Sequence, residues 1–335
     1  MKWGLKYNMK TRILGKDLNV SSIGLGCMGF SHCYGEPMSE KDAIRAIWRA
    51  ADMGYTFFDT AEAYTGTRSD GSVSINEKLI RKALAPLKGK VHIATKFGVF
   101  LNGRQIVCDS SPENVRRSVE DSLRKLGVEQ IDLYYQHRID KNIPAEEVAG
   151  VMADLIKEGK IARWGISEAD EEYLRRAHAV CPVTAVQNRY SMMYRDYEKL
   201  FPVLEELNIG FVAFSPLANG LLTDHYNNEC VFDIKSDYRA AMPQFQKSAY
   251  GQNQDLLNLL RTTAEKYNAS PAQISLAWML NKKPYIVPIP GTRKMERMKE
   301  NAVASDITLT SEEVAEIDAA LDNMTTSDIF GGHNY

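Results

Sequence analysis

Four side chains with acid–base chemistry stand at the ends of short apolar runs: Asp59, Tyr64, Lys96 and His137. The three runs are residues 55–58, 91–95 and 131–135. Short apolar runs of this kind predict buried parallel strands, whose carboxyl ends meet at one edge of a sheet. We therefore expect the four side chains to lie together.

The chemistry that this set allows is proton donation to a carbonyl oxygen. Tyrosine is a poor acid near neutrality because its pKa is about 10, and a nearby ammonium lowers that value. Lys96 can supply the charge, Asp59 can keep Lys96 paired, and His137 can orient the carbonyl. No side chain donates hydride, so a nicotinamide cofactor must supply it. Taken singly, each residue also has a structural interpretation, as a turn cap, a packing ring, a solvated amine or a buried histidine.

Composition excludes several classes of protein. The 335 residues carry a net charge of −2 with no basic run, which argues against nucleic-acid binding. No apolar run is long enough to span a bilayer, and the first ten residues lack the apolar core of a signal peptide. Five cysteines without C-x-x-C spacing predict free thiols in a reducing cytoplasm. Six scattered histidines indicate no metal site.

The order of elements predicts an α/β fold, the (β/α)8 TIM barrel, as a single domain over residues 1–335. A hairpin turns around Gly15–Asp17, and eight strand-like runs, each followed by a helical stretch, come after it. The predicted strands are residues 23–28, 55–58, 91–95, 131–135, 161–166, 183–186, 211–214 and 285–289. Residues 1–10 and 323–335 are expected to be peripheral or flexible.

An open doubly wound sheet is the alternative fold. It would need a glycine-rich turn after the first strand, and Gly24-Leu-Gly-Cys-Met-Gly29 matches G-x-G-x-x-G in letters. The glycines of this match lie inside the strand-like run, however, and residues 30–37 do not show a helical pattern. We interpret the match as chance.

Several motifs together resemble the aldo-keto reductases over residues 10–322. The motifs are Gly54-Tyr-Thr-Phe-Phe-Asp-Thr-Ala-Glu-Ala-Tyr64, Asn76-Glu77, Thr95-Lys96, Ile131-Asp-Leu-Tyr-Tyr-Gln-His137, Gly165-Ile-Ser167, Ser215-Pro-Leu217 and Pro290-Gly-Thr-Arg293. The resemblance implies a (β/α)8 barrel, in agreement with the count of elements. It also implies a catalytic tetrad at Asp59, Tyr64, Lys96 and His137.

The resemblance further implies a path for NADP(H). Ser167 and Gln187 match positions that hold the carboxamide, and Phe214 matches a ring that stacks on the nicotinamide. The full implied set is Cys27, Met28, Asp59, Ser167, Glu168, Gln187, Phe214, Ser215, Pro216, Leu217, Gly220, Gly291, Arg293, Arg297, Glu300 and Asn301. Arg293, with Arg297, favours NADPH over NADH because a guanidinium suits the 2′-phosphate. Glu168 departs from the asparagine that is common in the family.

The expected function is therefore NADPH-dependent reduction of an aldehyde or ketone, with Tyr64 as general acid. One alternative is a redox-sensing subunit with slow turnover, like the potassium-channel β subunits that resemble the same family. Another is oxidation of an alcohol or sugar. The substrate stays open because it depends on four loops, and Arg138 and His225 are equally candidates for the pocket or the surface. The loops are residues 30–37, 65–75, 98–108 and 221–251. The partners expected are a small carbonyl compound but neither nucleic acid nor membrane, and the oligomeric state is open.

Overall fold

The computed structural model describes residues 9–102 and 105–330, so the predicted N-terminal and C-terminal extensions lie partly outside the described residues. The strands are β1 (Thr11–Leu14), β2 (Leu18–Ser21), β3 (Leu25–Gly26), β4 (Phe57–Asp59), β5 (Thr65–Thr67), β6 (Val73–Ile75), β7 (His92–Phe97), β8 (Val99–Asn102), β9 (Gln105–Cys108), β10 (Leu133–Gln136), β11 (Trp164–Ser167), β12 (Ala185–Arg189), β13 (Gly210–Phe214) and β14 (Ile286–Pro288). The helices are α1 (Glu40–Asp52), α2 (Asn76–Leu84), α3 (Pro112–Leu126), α4 (Ala145–Lys157), α5 (Glu171–Val180), α6 (Phe201–Leu207), α7 (Gln254–Lys266), α8 (Pro271–Lys282), α9 (Met295–Val303) and α10 (Ser311–Asp322).

Eight strands form one parallel sheet in chain order, from β3 through β4, β7, β10, β11, β12 and β13 to β14. The first and last strands meet through the backbone. Gly24 N donates to Pro288 O at 2.9 Å, and Gly26 N donates to Pro290 O at 3.4 Å. The sheet thus curls into the predicted (β/α)8 barrel, and the doubly wound alternative is wrong.

The hairpin of β1 and β2 closes the barrel on the side where the strands begin. Leu14, Leu18 and Val20 are fully buried and belong to the cluster of residues that fills the barrel. Burial of side chains of this size contributes about 1.5–3 kcal/mol each. A Cβ on Gly210, the first residue of β13, would lie 2.5 Å from Leu14 Cδ2, so glycine is needed there. The loops that follow the strands lie at the opposite end of the barrel.

Helix ends follow the capping chemistry read from the sequence. Ser111 caps α3, with Pro112 in the first turn, and Gly127 ends that helix with φ of 65°. The predicted capping box between Thr310 and Glu313 opens α10. These local signals place the helices that separate successive strands.

Most predicted strands start or end a few residues from the observed ones; the first, predicted over residues 23–28, is reduced to Leu25–Gly26. Three further features differ from the prediction. The strand predicted to stop at Thr95 runs to Phe97, so Lys96 lies inside β7 rather than after it. The loops at residues 65–75 and 98–108 contain the short hairpins β5–β6 and β8–β9. The loop at residues 221–251 is bound to the segment after β3 by an antiparallel bridge between Tyr34 and Asp237.

Candidate active site

Lys96 and Asp59 form a buried ion pair at the carboxyl ends of β7 and β4. Lys96 Nζ lies 2.5 Å from Asp59 Oδ1 and donates to Thr60 O at 2.8 Å. Both side chains are almost inaccessible, at 1% and 4% exposed. An unpaired charge in such a place would cost several kcal/mol, so the pair accounts for a lysine in the barrel wall.

Tyr64 completes the contact from the turn that follows β4. Its hydroxyl lies 3.4 Å from Lys96 Nζ, and that amine lies 5.0 Å from the centre of the Tyr64 ring. The turn is held in place because Tyr64 O accepts from Asn76 N at 3.0 Å, where α2 begins. The hydroxyl and the ammonium are therefore positioned by two separate elements, β7 and the turn.

Burial raises the pKa of Tyr64, and the Lys96 ammonium opposes that rise. The sequence led us to expect a lowered pKa, so only the influence of Lys96 has the expected direction. The net result keeps the phenol protonated near neutrality, which is the state that a proton donor needs.

The pKa values of the ion pair show which groups dominate. Burial alone lowers the pKa of Lys96, but Asp59 and Tyr64 outweigh it and the net pKa is raised, so the amine stays protonated. Burial raises the pKa of Asp59, whereas Lys96 and the Gln187 amide act in the opposite direction. Gln187 Nε2 donates to Asp59 Oδ2 at 2.7 Å, so both carboxylate oxygens are engaged.

His137 faces Tyr64 from the end of β10. The two ring centroids are 5.8 Å apart and the ring planes are nearly perpendicular, at 84°. Burial lowers the pKa of His137 well below its ordinary value, and Arg138 and Lys96 add to this effect. Its buried Nδ1 has no hydrogen-bond partner in the described part of the chain. The imidazole is therefore neutral, with one nitrogen able to donate and one able to accept.

The predicted carboxamide contacts lie beside these four side chains. Ser167 ends β11 directly opposite Gln187 of β12, and the half-buried Phe214 ends β13. Glu168 has φ of 59°, and its backbone N donates to Asn188 Oδ1 at 2.8 Å. Sequence reasoning left the place of Arg138 open. In the structure Arg138 Nε lies 3.1 Å from Glu168 Oε2, inside the site.

A turn with unusual backbone follows β13 at the predicted pyrophosphate segment. Ser215, Ala218, Asn219 and Gly220 have φ of 49°, 47°, 60° and 110°. Backbone that mixes right- and left-handed residues forms concave groups of N–H donors that bind anions. Ala218 and Asn219 were not among the predicted contacts. The only signal in the sequence was Asn-Gly, a pair that tolerates positive φ.

The segment after β14 presents arginines to the same rim. Arg293 donates from Nε to Gly29 O, and from Nη1 to Glu36 O at 2.8 Å. Its buried Nη2 has no hydrogen-bond partner among residues 9–102 and 105–330. Arg297 Nη1 lies 3.4 Å from the Tyr226 hydroxyl. An orphaned guanidinium nitrogen of this kind suits an anionic ligand such as a phosphate.

The remaining predicted contacts divide into rim and packing residues. Gly291 lies against β3, where a Cβ would be 3.0 Å from Gly26 O, and Met28 is half-buried. The buried Cys27 donates from Sγ to Leu25 O at 3.4 Å, as expected of a packing cysteine. Glu300 accepts from the Ser270 hydroxyl, and Asn301 is buried.

Two negative findings apply to the described residues. No cluster of three or more His, Cys, Asp or Glu side chains that could hold a metal ion occurs there. None of the helices in that part of the chain is long and apolar enough to cross a membrane.

Comparison with known proteins identifies the family. The profile of the aldo/keto reductase family matches residues 22–322. A probable aldo-keto reductase 1 from Glycine max is 40% identical over 319 residues, which are 94% of this chain and 89% of that protein. The chain therefore belongs to the aldo/keto reductase family.

Solved structures agree with this assignment. The glycerol dehydrogenase AKR11B4 from Gluconobacter oxydans is similar with a TM-score of 0.81 and 29% identity, over 97% of this chain and 99% of that one. The aldo-keto reductase AKR11C1 from Bacillus halodurans gives a TM-score of 0.76 and 26% identity, over 98% of this chain and 100% of that one. Membership implies an oxidoreductase that reduces carbonyl groups with a nicotinamide cofactor.

Proposed function

We propose that this protein is an NADPH-dependent reductase of an aldehyde or ketone, built as one barrel domain. The observation that carries the proposal is the position of Lys96 Nζ, 2.5 Å from Asp59 Oδ1 and 3.4 Å from the Tyr64 hydroxyl. This arrangement can release a proton from Tyr64 and stabilise the phenolate that remains. Few structural roles require a fully buried lysine to touch both a carboxylate and a tyrosine hydroxyl.

The residues present fit a dinucleotide with a 2′-phosphate. Ser167 and Gln187 offer polar groups to a carboxamide, the Phe214 ring offers a face, and the turn after β13 suits a pyrophosphate. Arg293 and Arg297 would hold the 2′-phosphate, which favours NADPH over NADH. A bound dihydronicotinamide supplies the hydride for the carbonyl carbon.

The protein side of the reaction is proton transfer. As the carbonyl carbon is reduced, the Tyr64 hydroxyl gives its proton to the carbonyl oxygen, which yields the alcohol. Lys96 stabilises the Tyr64 phenolate, and Asp59 keeps Lys96 charged. The neutral His137 donates a hydrogen bond that orients the oxygen. Its lowered pKa favours this role because an uncharged imidazole does not compete as an acid.

The test is coenzyme oxidation with a panel of aldehydes and ketones, followed at the NADPH absorbance. The panel includes glyceraldehyde, and the reverse assay uses glycerol with NADP+, because one relative is a glycerol dehydrogenase. Y64F should lose about 10²–10⁴-fold in kcat, while its Kd for NADPH stays unchanged. Wild-type turnover by Y64F would contradict the assignment of the acid. Tight NADPH binding without turnover on any compound would favour the alternative of a redox-sensing subunit.

A further inference from the structure

The guanidinium of Arg138 lies among the residues proposed to hold the nicotinamide ring. Its Nη1 donates to Ser167 Oγ at 3.0 Å and to His137 O at 2.6 Å, and its Nε pairs with Glu168 Oε2 at 3.1 Å. The guanidinium carbon lies 5.7 Å from the centre of the Phe214 ring. The side chain thus uses a hydroxyl, a carboxylate and an aromatic face at once.

These are the contacts that a nicotinamide carboxamide and ring would need. A guanidinium is planar, carries several N–H donors and packs on aromatic faces. A nicotinamide is also planar, and its carboxamide also donates N–H groups. The Ser167 hydroxyl has two lone pairs. The Phe214 ring is half-buried and has a second guanidinium beside it, with the Arg189 carbon 5.9 Å from its centre, so little of the ring is left for another group. A nicotinamide stacked on Phe214 would therefore compete with Arg138 for the Ser167 hydroxyl and for the Phe214 ring.

Glu168 holds Arg138 through Oε2 and also lies near a second arginine, with Arg189 Nη2 4.0 Å from Glu168 Oε1. Its positive φ of 59° is uncommon for a residue with a side chain, and Asn188 fixes the backbone by accepting from Glu168 N at 2.8 Å. The Glu168 side chain is 9% exposed and that of Arg138 is 33% exposed. The carboxylate is thus fixed and largely dry, whereas the arginine has solvent on one side into which it can turn.

We propose that Arg138 is a displaceable occupant of the nicotinamide half-site and that its ion pair with Glu168 sets how readily the nicotinamide enters. The inference rests on the proposed function, because it uses the nicotinamide contacts assigned there. The coenzyme binds the fraction of molecules in which Arg138 has turned away, so its apparent affinity is reduced by that fraction. The 2′-phosphate end of the coenzyme binds at Arg293 and Arg297, which Arg138 does not contact. Binding at that end is therefore independent of whether Arg138 has turned away.

The two ends of the coenzyme can be separated with a fragment. Titration calorimetry would measure the Kd of NADP+ and of adenosine 2′,5′-bisphosphate, which lacks the nicotinamide, for the full chain and its variants. R138A should bind NADP+ about fivefold more tightly, ~1 kcal/mol by the usual conversion, with an unchanged Kd for the bisphosphate. E168Q should also bind NADP+ more tightly than wild type. The double variant R138A/E168Q should bind NADP+ no more tightly than R138A alone.

A matched control is R163A, because Arg163 pairs with Asp17 at 2.7 Å on the hairpin side of the barrel. It should leave both Kd values unchanged. If R138A binds NADP+ with equal or weaker affinity, or if both ligands change together, Arg138 is not a competitor of the nicotinamide and the inference is wrong while the proposed function stands. If the wild-type protein binds neither ligand, the coenzyme site itself is wrong and the inference fails with it.

Discussion

Gln187 donates its side-chain amide to Asp59 Oδ2 at 2.7 Å, on the carboxylate oxygen that Lys96 leaves free. The residue proposed to contact the nicotinamide carboxamide is thus bonded to the residue proposed to keep Lys96 charged. Lys96 contacts one oxygen of the Asp59 carboxylate, and Gln187 contacts the other. The proposed carboxamide contact and the Lys96 ion pair are therefore linked through the Asp59 carboxylate.

We expect D59N to lower kcat by about 10²-fold and to shift the basic limb of the pH–rate profile to lower pH. Asp59 raises the pKa of Lys96. The amide of the variant removes that influence while burial still lowers the pKa, so the amine loses its proton at a lower pH. The measurement is kcat against pH for wild type and D59N. An unshifted basic limb would mean that Lys96 does not govern it.

R293Q should weaken NADPH binding about tenfold, ~1.4 kcal/mol, and leave the KM for NADH nearly unchanged. The reason is that the buried Arg293 Nη2 has no hydrogen-bond partner in the part of the chain that the structure describes, and only NADPH brings a 2′-phosphate to meet it. Steady-state kinetics with both coenzymes measure the change in preference. A control variant, R163Q, lies on the hairpin side and should alter neither KM. Equal losses with both coenzymes would assign Arg293 a structural role.

Most of the barrel, and the grouping of Asp59, Tyr64, Lys96 and His137 at one rim, could be predicted because both depend on local patterns. Apolar runs separated by capped helices define strand order, and residues that end such runs must meet at one rim. The hairpins β5–β6 and β8–β9 could not be predicted, because their strands have three or four residues each and pair only within loops that the barrel holds in place.

The position of the Arg138 side chain could not be predicted from the sequence for a different reason. A long side chain at a strand end can turn to solvent or into the site, and the choice depends on which partners the fold brings near. Here Glu168 and Ser167, both from the neighbouring strand end, decide it. The prediction of a lowered Tyr64 pKa was wrong for a related reason: burial, which raises this pKa, is a property of the whole fold.

Stability should depend on pH through Glu77, which is fully buried in α2. Thr95 Oγ1 donates to its Oε1 at 2.7 Å, and Lys125 Nζ lies 3.8 Å from its Oε2. Burial raises the pKa of Glu77 above its ordinary 4.5. The group therefore favours the folded state when protonated, and this contribution is lost as pH rises from about 4.5 through the raised pKa.

E77Q removes that titration. The free energy of unfolding of E77Q minus that of wild type should become more positive between pH 4 and pH 8, as measured by urea denaturation. E172Q is the control, because the Glu172 side chain is 84% exposed and its charge is solvated in both states. A difference between E77Q and wild type that is independent of pH would show that the Glu77 carboxyl does not titrate differently in the two states.

Two glycine-to-alanine substitutions should change stability in opposite directions. Gly165 lies in β11, where a Cβ would be 2.4 Å from Ala185 O and 2.4 Å from Tyr135 Cε1. Neither the backbone of β12 nor a fully buried ring can move without disturbing the barrel, so G165A should cost about 1–3 kcal/mol of unfolding free energy.

Gly150 lies within α4, and a Cβ there would meet nothing within 4 Å. G150A should therefore stabilise the protein by about 0.5–1 kcal/mol through a better helix propensity. Urea denaturation of both variants measures the two changes, and coenzyme titration shows whether Ser167, two residues beyond Gly165, has moved. If G165A were as stable as wild type, the close packing of β11 against Tyr135 and β12 would be wrong. If G150A were destabilised, Gly150 would have a packing role that its open surroundings do not show.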